Sequence, residues 1–522
     1  MSQIFSIIMP NTYRDSVFLM KLSSQAKSES GAEQVSAMMG TPRNKELFVT
    51  SGLSNPEIES AGPDDLVIAI KADKEISVKA EEAVNRLLNE TAPKKARSGE
   101  EAAPHDLAQA KNLDEDLNLA IISVAGDYAR YEAAKAVNAG MDVMLYSDNI
   151  SLEDEIALKQ QATRKNVLVM GPDCGTAIID GVPLAFANKV SRGPVGIVGA
   201  SGTGLQEVIC LLERMGVGIS QAYGTGGRDL KDEVGGLTAI AALHRLEKDE
   251  ETKIIVLLGK PPGEKTRAKL AAMLPKLGKP VFVHYLGAPD HSIEDGAGLV
   301  SADDLTKLAV AVAQKADPNA KVSAVVGECP MPTAKAGARK GFLRGLFGGG
   351  TLCQEAAEIA APILDGEKFA NLKVAGFSPI DASQKSKGHC FWDFGDDVFT
   401  VGRPHPMMAP ELKMERMVEE LVNPDVSVVL IDMVIGYGAH QDQAGEFLRA
   451  LDTAKTKNTA ATEGTLIVAS VCGTDSDSPS RKDQAAILEK AGVIVCGSNA
   501  QAATVAAKAA SGAAQAATTG GK

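Results

Sequence analysis

The residue types best suited to chemistry gather in one stretch, Val195 to Asp229, which reads VGIVGASGTGLQEVICLLERMGVGISQAYGTGGRD. Val195-Gly196-Ile197-Val198 is short and apolar, as a buried parallel strand would be. Ser201, Gly202, Thr203 and Gly204 follow in a glycine-rich turn, and Gln206 to Met215 then carries apolar residues at helical spacing. Strand, glycine turn and helix in that order leave unpaired backbone N–H groups at the helix start. Such a place favours an anion, phosphate or carboxylate. A second turn, Gly224-Thr225-Gly226-Gly227, ends the next apolar run and is closed by Arg228 and Asp229. The same glycines also suit plain tight turns, since GASGTG is neither a Walker sequence nor GxGxxG. Two such turns at neighbouring strand ends favour the anion.

Three cations are candidate charge partners for it. Arg228 closes the second turn, Lys260 stands in the turn Gly259-Lys260-Pro261-Pro262, and Arg403 opens Arg403-Pro404-His405-Pro406. A lone long cation is ordinarily solvated surface, so only their places at segment ends single them out. His405, held between two prolines, is a candidate acid or base, with a structural hydrogen bond as its alternative. Cys174 in Gly171-Pro172-Asp173-Cys174 has nothing beside it to lower a thiol pKa and reads as structural, with Asp173 as a cap.

The elements that must position these residues follow from a βα rhythm. At 522 residues there is room for three or four cores. Residues 1–92 read as a small α+β domain with strands over 4–9, 34–39 and 66–70. Residues 93–111 read as a linker, which takes in all but the first two residues of TAPKKARSGEEAAP, Thr91 to Pro104. Residues 112–192 and 193–316 alternate short apolar runs with helices, which implies parallel sheets. Residues 317–371 read as a connector, basic in places, with a helix after Phe347-Gly348-Gly349-Gly350-Thr351 that offers a further anion site or a hinge. Residues 372–508 read as a last α/β unit, and 509–522 as a low-complexity tail.

The totals exclude several classes. A net charge of −13 argues against non-specific nucleic-acid binding. No apolar run reaches membrane-spanning length and no signal-peptide pattern is present, so the expected location is cytoplasmic. Seven cysteines without CxxC spacing and seven histidines without HxH or HxxxH pairs indicate reduced thiols and no metal centre.

Several segments resemble the succinyl-CoA synthetase superfamily of NDP-forming acyl-CoA ligases. Ile121 to Ser151 is similar to the second half of its alpha-subunit CoA-binding domain, and Gly171-Pro172-Asp173-Cys174 to its GPNC turn. Val195 to Glu207 is similar to its GIVSRSGT loop, and Leu257-Leu258-Gly259 to its LIGE strand end. Residues 372–508 resemble the beta-subunit ligase domain. The order of pieces looks most like the FdrA branch, which shares Asn11-Thr12-Tyr13-Arg14-Asp15-Ser16 and Thr400-Val401-Gly402-Arg403-Pro404-His405-Pro406. The resemblance implies an α/β fold: a Rossmann-like CoA-binding-type half and two flavodoxin-like ligase domains behind the small N-terminal domain.

The chain departs from those ligases in four ways. The N-terminal domain and linker replace the glycine-rich CoA loop. Ile293-Glu294-Asp295-Gly296-Ala297-Gly298 stands where they have the phosphohistidine segment GHAG. Lys260 aligns with the glutamate that meets the phosphohistidine. No ATP-grasp segment is present.

What remains is acyl-phosphate chemistry. The resemblance implies a subunit of oxamate carbamoyltransferase, which converts oxalurate and phosphate to oxamate and carbamoyl phosphate in allantoin catabolism. Companion subunits and an oligomer are implied with it. On this reading Ser201, Gly202, Thr203 and Gly204 hold the phosphoryl group together with Gly473 and Thr474, while Gly226, Gly227 and Arg228 add a second turn. Lys260, Arg403 and His405 are the catalytic candidates, and phosphate or carbamoyl phosphate is the ligand. The alternatives are a CoA-using ligase with a separate ATP-grasp subunit, and a non-catalytic scaffold.

Overall fold

The computed structural model describes residues 3–14, 16–90, 104–287, 299–301, 303–327, 341–400 and 403–512. Much of the predicted linker, the Ile293–Gly298 segment and most of the tail lie outside these residues.

The N-terminal domain is a three-stranded antiparallel sheet, β1 (Gln3–Met9), β2 (Gln34–Met39) and β3 (Leu66–Ala72), in the order β1-β3-β2. The apolar run of β3 does not alternate because both of its faces are covered. Leu66, Ile68 and Ile70 pack with residues of the Ser16–Ser30 and Lys74–Glu90 helices. Val67 and Ala69 pack with Phe48, Leu53 and Ile58 on the other side.

The next unit is a short parallel sheet of β4 (Leu119–Ile122), β5 (Asp142–Leu145) and β6 (Val169–Met170), in sequence order. Its two helices, Gly126–Asn138 and Leu152–Lys165, make it a Rossmann-like half. The hairpin β7 (Thr176–Ile179) and β8 (Val182–Ala185), read in the sequence as part of this unit, pairs instead with the sheet that follows.

That second sheet contains β9 (Arg192–Gly199), β10 (Ile219–Gly224), β11 (Ile254–Gly259), β12 (Val281–Tyr285) and β13 (Leu299–Ser301). Its order is β13-β12-β11-β9-β10-β7-β8, with β9 to β13 parallel. Numbered by their own sequence, the parallel strands run 5-4-3-1-2, the flavodoxin-like order, and the direction of winding reverses at β9.

The third sheet corrects the connector reading. Phe342–Phe347, inside the segment taken as a link, is its central strand, β14. The others are β15 (Lys368–Ala370), β16 (Ser378–Pro379), β17 (His389–Asp393), β18 (Val426–Val434), β19 (Leu466–Cys472) and β20 (Ile494–Cys496). The order is β16-β15-β17-β14-β18-β19-β20, all parallel, with the reversal at β14. Arg344 disguised this strand, because a cation interrupts its apolar run. The side chain is buried, its Nε donating to Glu420 Oε2 at 2.7 Å and its Nη1 to the Gly388 carbonyl.

The two large sheets share one core. The Gly202–Arg214 and Leu305–Ala316 helices of the second sheet pack against the Gly350–Ala360 and Asn499–Ala510 helices of the third. Ala356, Ala357, Ala360, Ala502, Ala503 and Ala506 are all buried there, and small side chains allow such close helix approach.

Candidate active site

Parallel strands end at one edge of a sheet, and ligands collect where the winding reverses. Here the two reversal loops meet. The loop after β9 starts the Gly202–Arg214 helix, and the loop after β14 starts the Gly350–Ala360 helix. Ser201 caps the first helix by accepting the Gly204 N–H at 3.1 Å, and its hydroxyl bonds the Thr351 hydroxyl of the second. Two helix N-termini therefore converge. The cap uses the Gly204 N–H, whereas helix geometry gives the N–H groups of Gly202 and Thr203 no carbonyl. The second helix has no side-chain cap at all.

The contact is tight. A Cβ on Gly204 would sit 2.9 Å from Ser201 Oγ, 3.1 Å from Thr351 Cγ2 and 3.2 Å from Leu258 Cδ1. Gly204→Ala is therefore expected to cost about 1–3 kcal/mol through overpacking, read as a lowered urea midpoint. An unchanged midpoint would mean that the junction yields freely.

The second loop is set from behind. Asp432 of β18 accepts the Gly348 N–H on Oδ1 at 2.7 Å and the Gly349 N–H on Oδ2 at 2.9 Å. Lys413 Nζ donates to the same carboxylate at 3.0 Å and to the Asp432 carbonyl at 2.8 Å, and both side chains are buried. The protein's own carboxylate thus occupies the first two N–H groups of this loop. Those of Gly350 and Thr351, the first two helical residues, have no helical carbonyl to meet.

The junction opens into a cavity of about 1100 Å³ lined by Ser201, Gly202, Thr203, Gly226, Gly227, Lys260, Gly350, Thr351, Asp393, Arg403 and His405. Eight of the residues singled out from the sequence thus come together. Gly204 lies behind this wall, packed into the helix junction.

Two carboxyls that the sequence reading did not assign to the site stand out. Asp393 ends β17, with Oδ2 so near Gly350 that a Cβ there would lie 2.5 Å away. Burial pushes its pKa up to about 7, helped by Asp396 and Asp432 and opposed by the Gly395 N–H bond at 2.9 Å and by Lys260. Asp173, read as a cap, instead lines the cavity, and its pKa is raised to about 6 by burial and by Asp148 and Asp397, with Arg228 opposing.

His405 is held neutral at physiological pH. Burial lowers its pKa to about 4, with Asp432 raising it and Lys413 lowering it further. Nδ1 accepts the Met407 N–H at 3.3 Å, so the ring proton sits on Nε2, beside Gly395. His405 can donate a hydrogen bond there but carries no charge. Cys174 is buried and its thiol is pushed up to about 12 by burial, in keeping with its structural reading.

Two sequence assignments fail for a common reason: the protein supplies its own counter-charge. Arg228 Nε donates to Glu155 Oε2 at 2.8 Å and its Nη2 to the Ile150 carbonyl, away from the cavity lining. Glu155 is fully buried beside Lys159, which also bridges to Asp229 at 2.8 Å. Gly473 and Thr474 do not line the cavity either. Asp477 accepts the Thr474 N–H at 2.7 Å and the Lys189 N–H at 2.7 Å, filling the place an external anion would take. With Asn188 donating to Asp477 at 2.8 Å and Thr474 Oγ1 to the Lys189 carbonyl at 2.8 Å, this turn clasps the third sheet to the second. The helix start that meets Ser201 at the cavity is therefore the one at Gly350, not the turn after Gly473.

Among the described residues no group of three or more His, Cys, Asp or Glu side chains could hold a metal ion, and no helix is long and apolar enough to cross a membrane.

Family models match residues 1–104 ("AllF, heavy metal-associated domain"), 190–283 ("CoA binding domain") and 346–509 ("CoA-ligase"). Residues 1–104 contain neither Cys nor His, the usual ligands of a soft metal. The succinate–CoA ligase alpha subunit of Methanothermobacter thermautotrophicus is 30% identical over 176 residues, covering 33% of this chain and 58% of that protein. The solved acetyl-coenzyme A synthetase 1 of Ca. Korarchaeum cryptofilum aligns over 81% of this chain and 88% of its own, with a TM-score of 0.34 and 14% identity. The uncharacterized protein YahF of Escherichia coli is 40% identical over 503 residues, 94% of this chain and 96% of YahF. The chain belongs to the family of YahF, a branch of the succinyl-CoA synthetase superfamily with an AllF-type N-terminal domain.

Proposed function

We propose that this member of the acyl-CoA synthetase superfamily runs acyl-phosphate chemistry at the helix junction, as the reacting subunit of an oxamate carbamoyltransferase. Oxalurate and phosphate would give oxamate and carbamoyl phosphate, in allantoin catabolism and together with companion subunits. One observation carries the reading: two helix N-termini, Lys260 and Arg403 face one cavity beside a carboxyl, Asp393, that titrates near neutrality.

The chemistry needs each part. A phosphate oxygen attacks the carbamoyl carbon, and the bond from that carbon to the oxamate nitrogen breaks. The leaving nitrogen takes up one proton, and the attacking phosphate loses one. Two anions must be held together, and the N–H groups of Gly202 and Thr203, the dipoles of both helices, Lys260 and Arg403 offset their repulsion. Protonated Asp393 supplies the proton to the leaving nitrogen and takes back the one that the phosphate loses. His405 Nε2–H donates to the carbonyl oxygen as charge gathers there.

The second reading is a CoA-using ligase with a separate ATP-grasp subunit. The match of residues 190–283 to a CoA binding domain favours it.

Titration calorimetry separates the two. The wild-type chain is expected to bind phosphate and carbamoyl phosphate. Gly202→Val should weaken both at least about tenfold, since a donor to such an oxyanion is worth about 3 kcal/mol, with the melting curve unchanged. A Cβ at Gly202 meets only Thr176 Oγ1 within 4 Å, at 3.5 Å, so the backbone leaves room there for the first side-chain carbon. Binding of CoA without carbamoyl phosphate would turn the reading to the ligase, and binding of none of them would reject both.

A further inference from the structure

The cavity is not closed by the α/β units alone. The N-terminal domain forms one of its walls, and that wall carries two guanidiniums, Arg14 and Arg43. Among the described residues Arg228 is matched by Glu155, Arg245 by Asp142 and Arg344 by Glu420, whereas half-buried Arg214 donates to carbonyls instead. Arg14 and Arg43 differ from the matched three. Among the described residues neither forms an ion pair with a carboxylate within 4 Å. Arg14 Nη1 donates to the Tyr13 carbonyl at 2.8 Å, and Arg43 Nη2 donates to the Asn149 side-chain oxygen at 3.2 Å. These bonds to neutral oxygens orient the two forks and, among the described residues, leave most of their five donors without a protein acceptor.

The acidic side of the cavity bears on what would be drawn to them. Asp148, next to Asn149, lines the cavity with Asp173 and Asp397, and both raise the proton affinity of Asp173. A small anion is repelled from that side and attracted to the guanidiniums. A planar carboxylate matches the guanidinium fork bidentately, which a compact phosphate on a helix N-terminus does not require.

From this we infer that Arg14 and Arg43 form a second anion subsite, which binds the carboxylate of a small 2-oxo-amide or 2-oxo acid substrate. The N-terminal domain is then the specificity element of the site. This rests on the proposed function, because the carboxylate belongs to the molecule whose other end meets phosphate at the helix junction.

The test is calorimetry on the full chain with two separate probes, oxamate and inorganic phosphate. Arg14→Gln and Arg43→Gln are each expected to weaken oxamate about tenfold or more, while phosphate affinity stays within about twofold and the melting curve does not move. Unchanged oxamate affinity in both variants would overturn the subsite, as would a wild-type chain that takes no oxamate, and the helix-junction reading would survive either result. Loss of phosphate binding in the wild type, with oxamate still sensitive to the arginines, would reject the helix-junction reading and uphold the subsite.

Discussion

Lys413→Met is expected to destabilise the third sheet by about 3–5 kcal/mol, because it strands a buried carboxylate. Asp432 is fully buried and accepts two backbone N–H groups and one ammonium. Without Lys413 the charge remains and only the neutral donors are left to meet it. The readout is convenient, since the chain's single tryptophan, Trp392, lies buried in β17 of the same sheet. Urea unfolding followed by its fluorescence should show a clearly lower midpoint. Adding Asp432→Asn should recover part of the loss, because the amide is neutral and its oxygen still accepts one loop N–H. A wild-type midpoint in Lys413→Met would show that the pair contributes nothing.

Asp393→Asn carries the largest expected effect on turnover, a loss of about 10²–10⁴-fold, the usual worth of a positioned general acid. The direction with pH follows from the raised pKa. The protonated form is the donor, so the wild-type rate should fall as pH rises through about 7. Asn cannot donate an acidic proton, so that limb should vanish in the variant. The same group affects stability. Its folded pKa lies above the unfolded value of about 3.9, so the folded state holds the proton more tightly. Its stabilising contribution is complete below about pH 4 and is lost as pH rises through about 7. Asp393→Asn should flatten that slope. Carbamoyl phosphate formation by the chain copurified with its companion subunits, measured from pH 5.5 to 8.5 (about the range a carboxyl near 7 needs), would decide it. An unchanged alkaline limb in the variant would assign the proton to another group.

The fold was legible wherever local pattern and tertiary role agreed. The strands of the N-terminal domain and the loop from Ser201 to Thr203 announce themselves by apolar runs and glycine turns. The illegible parts depended on partners distant in sequence. β14 was hidden because Arg344 looks exposed until Glu420, 76 residues on, neutralises it. Arg228 and the Gly473–Thr474 turn looked like anion binders because Glu155 and Asp477 occupy them only in three dimensions. Asp393 gave no signal, since its strand, His-Cys-Phe-Trp-Asp, is followed by a single glycine, Gly395, and not by the several glycines of the loops after β9, β10 and β14. Its importance comes from burial and from Gly350, both products of packing.

Both reversal loops belong to a single polypeptide, and the Asn188–Asp477 clasp fastens the sheets that carry them. Formation of the helix junction is therefore a folding event, with no encounter between separate molecules. Each half of it sees a fixed local concentration of the other, set by the chain itself. Dilution cannot pull apart the two helix ends that meet at Ser201 and Thr351.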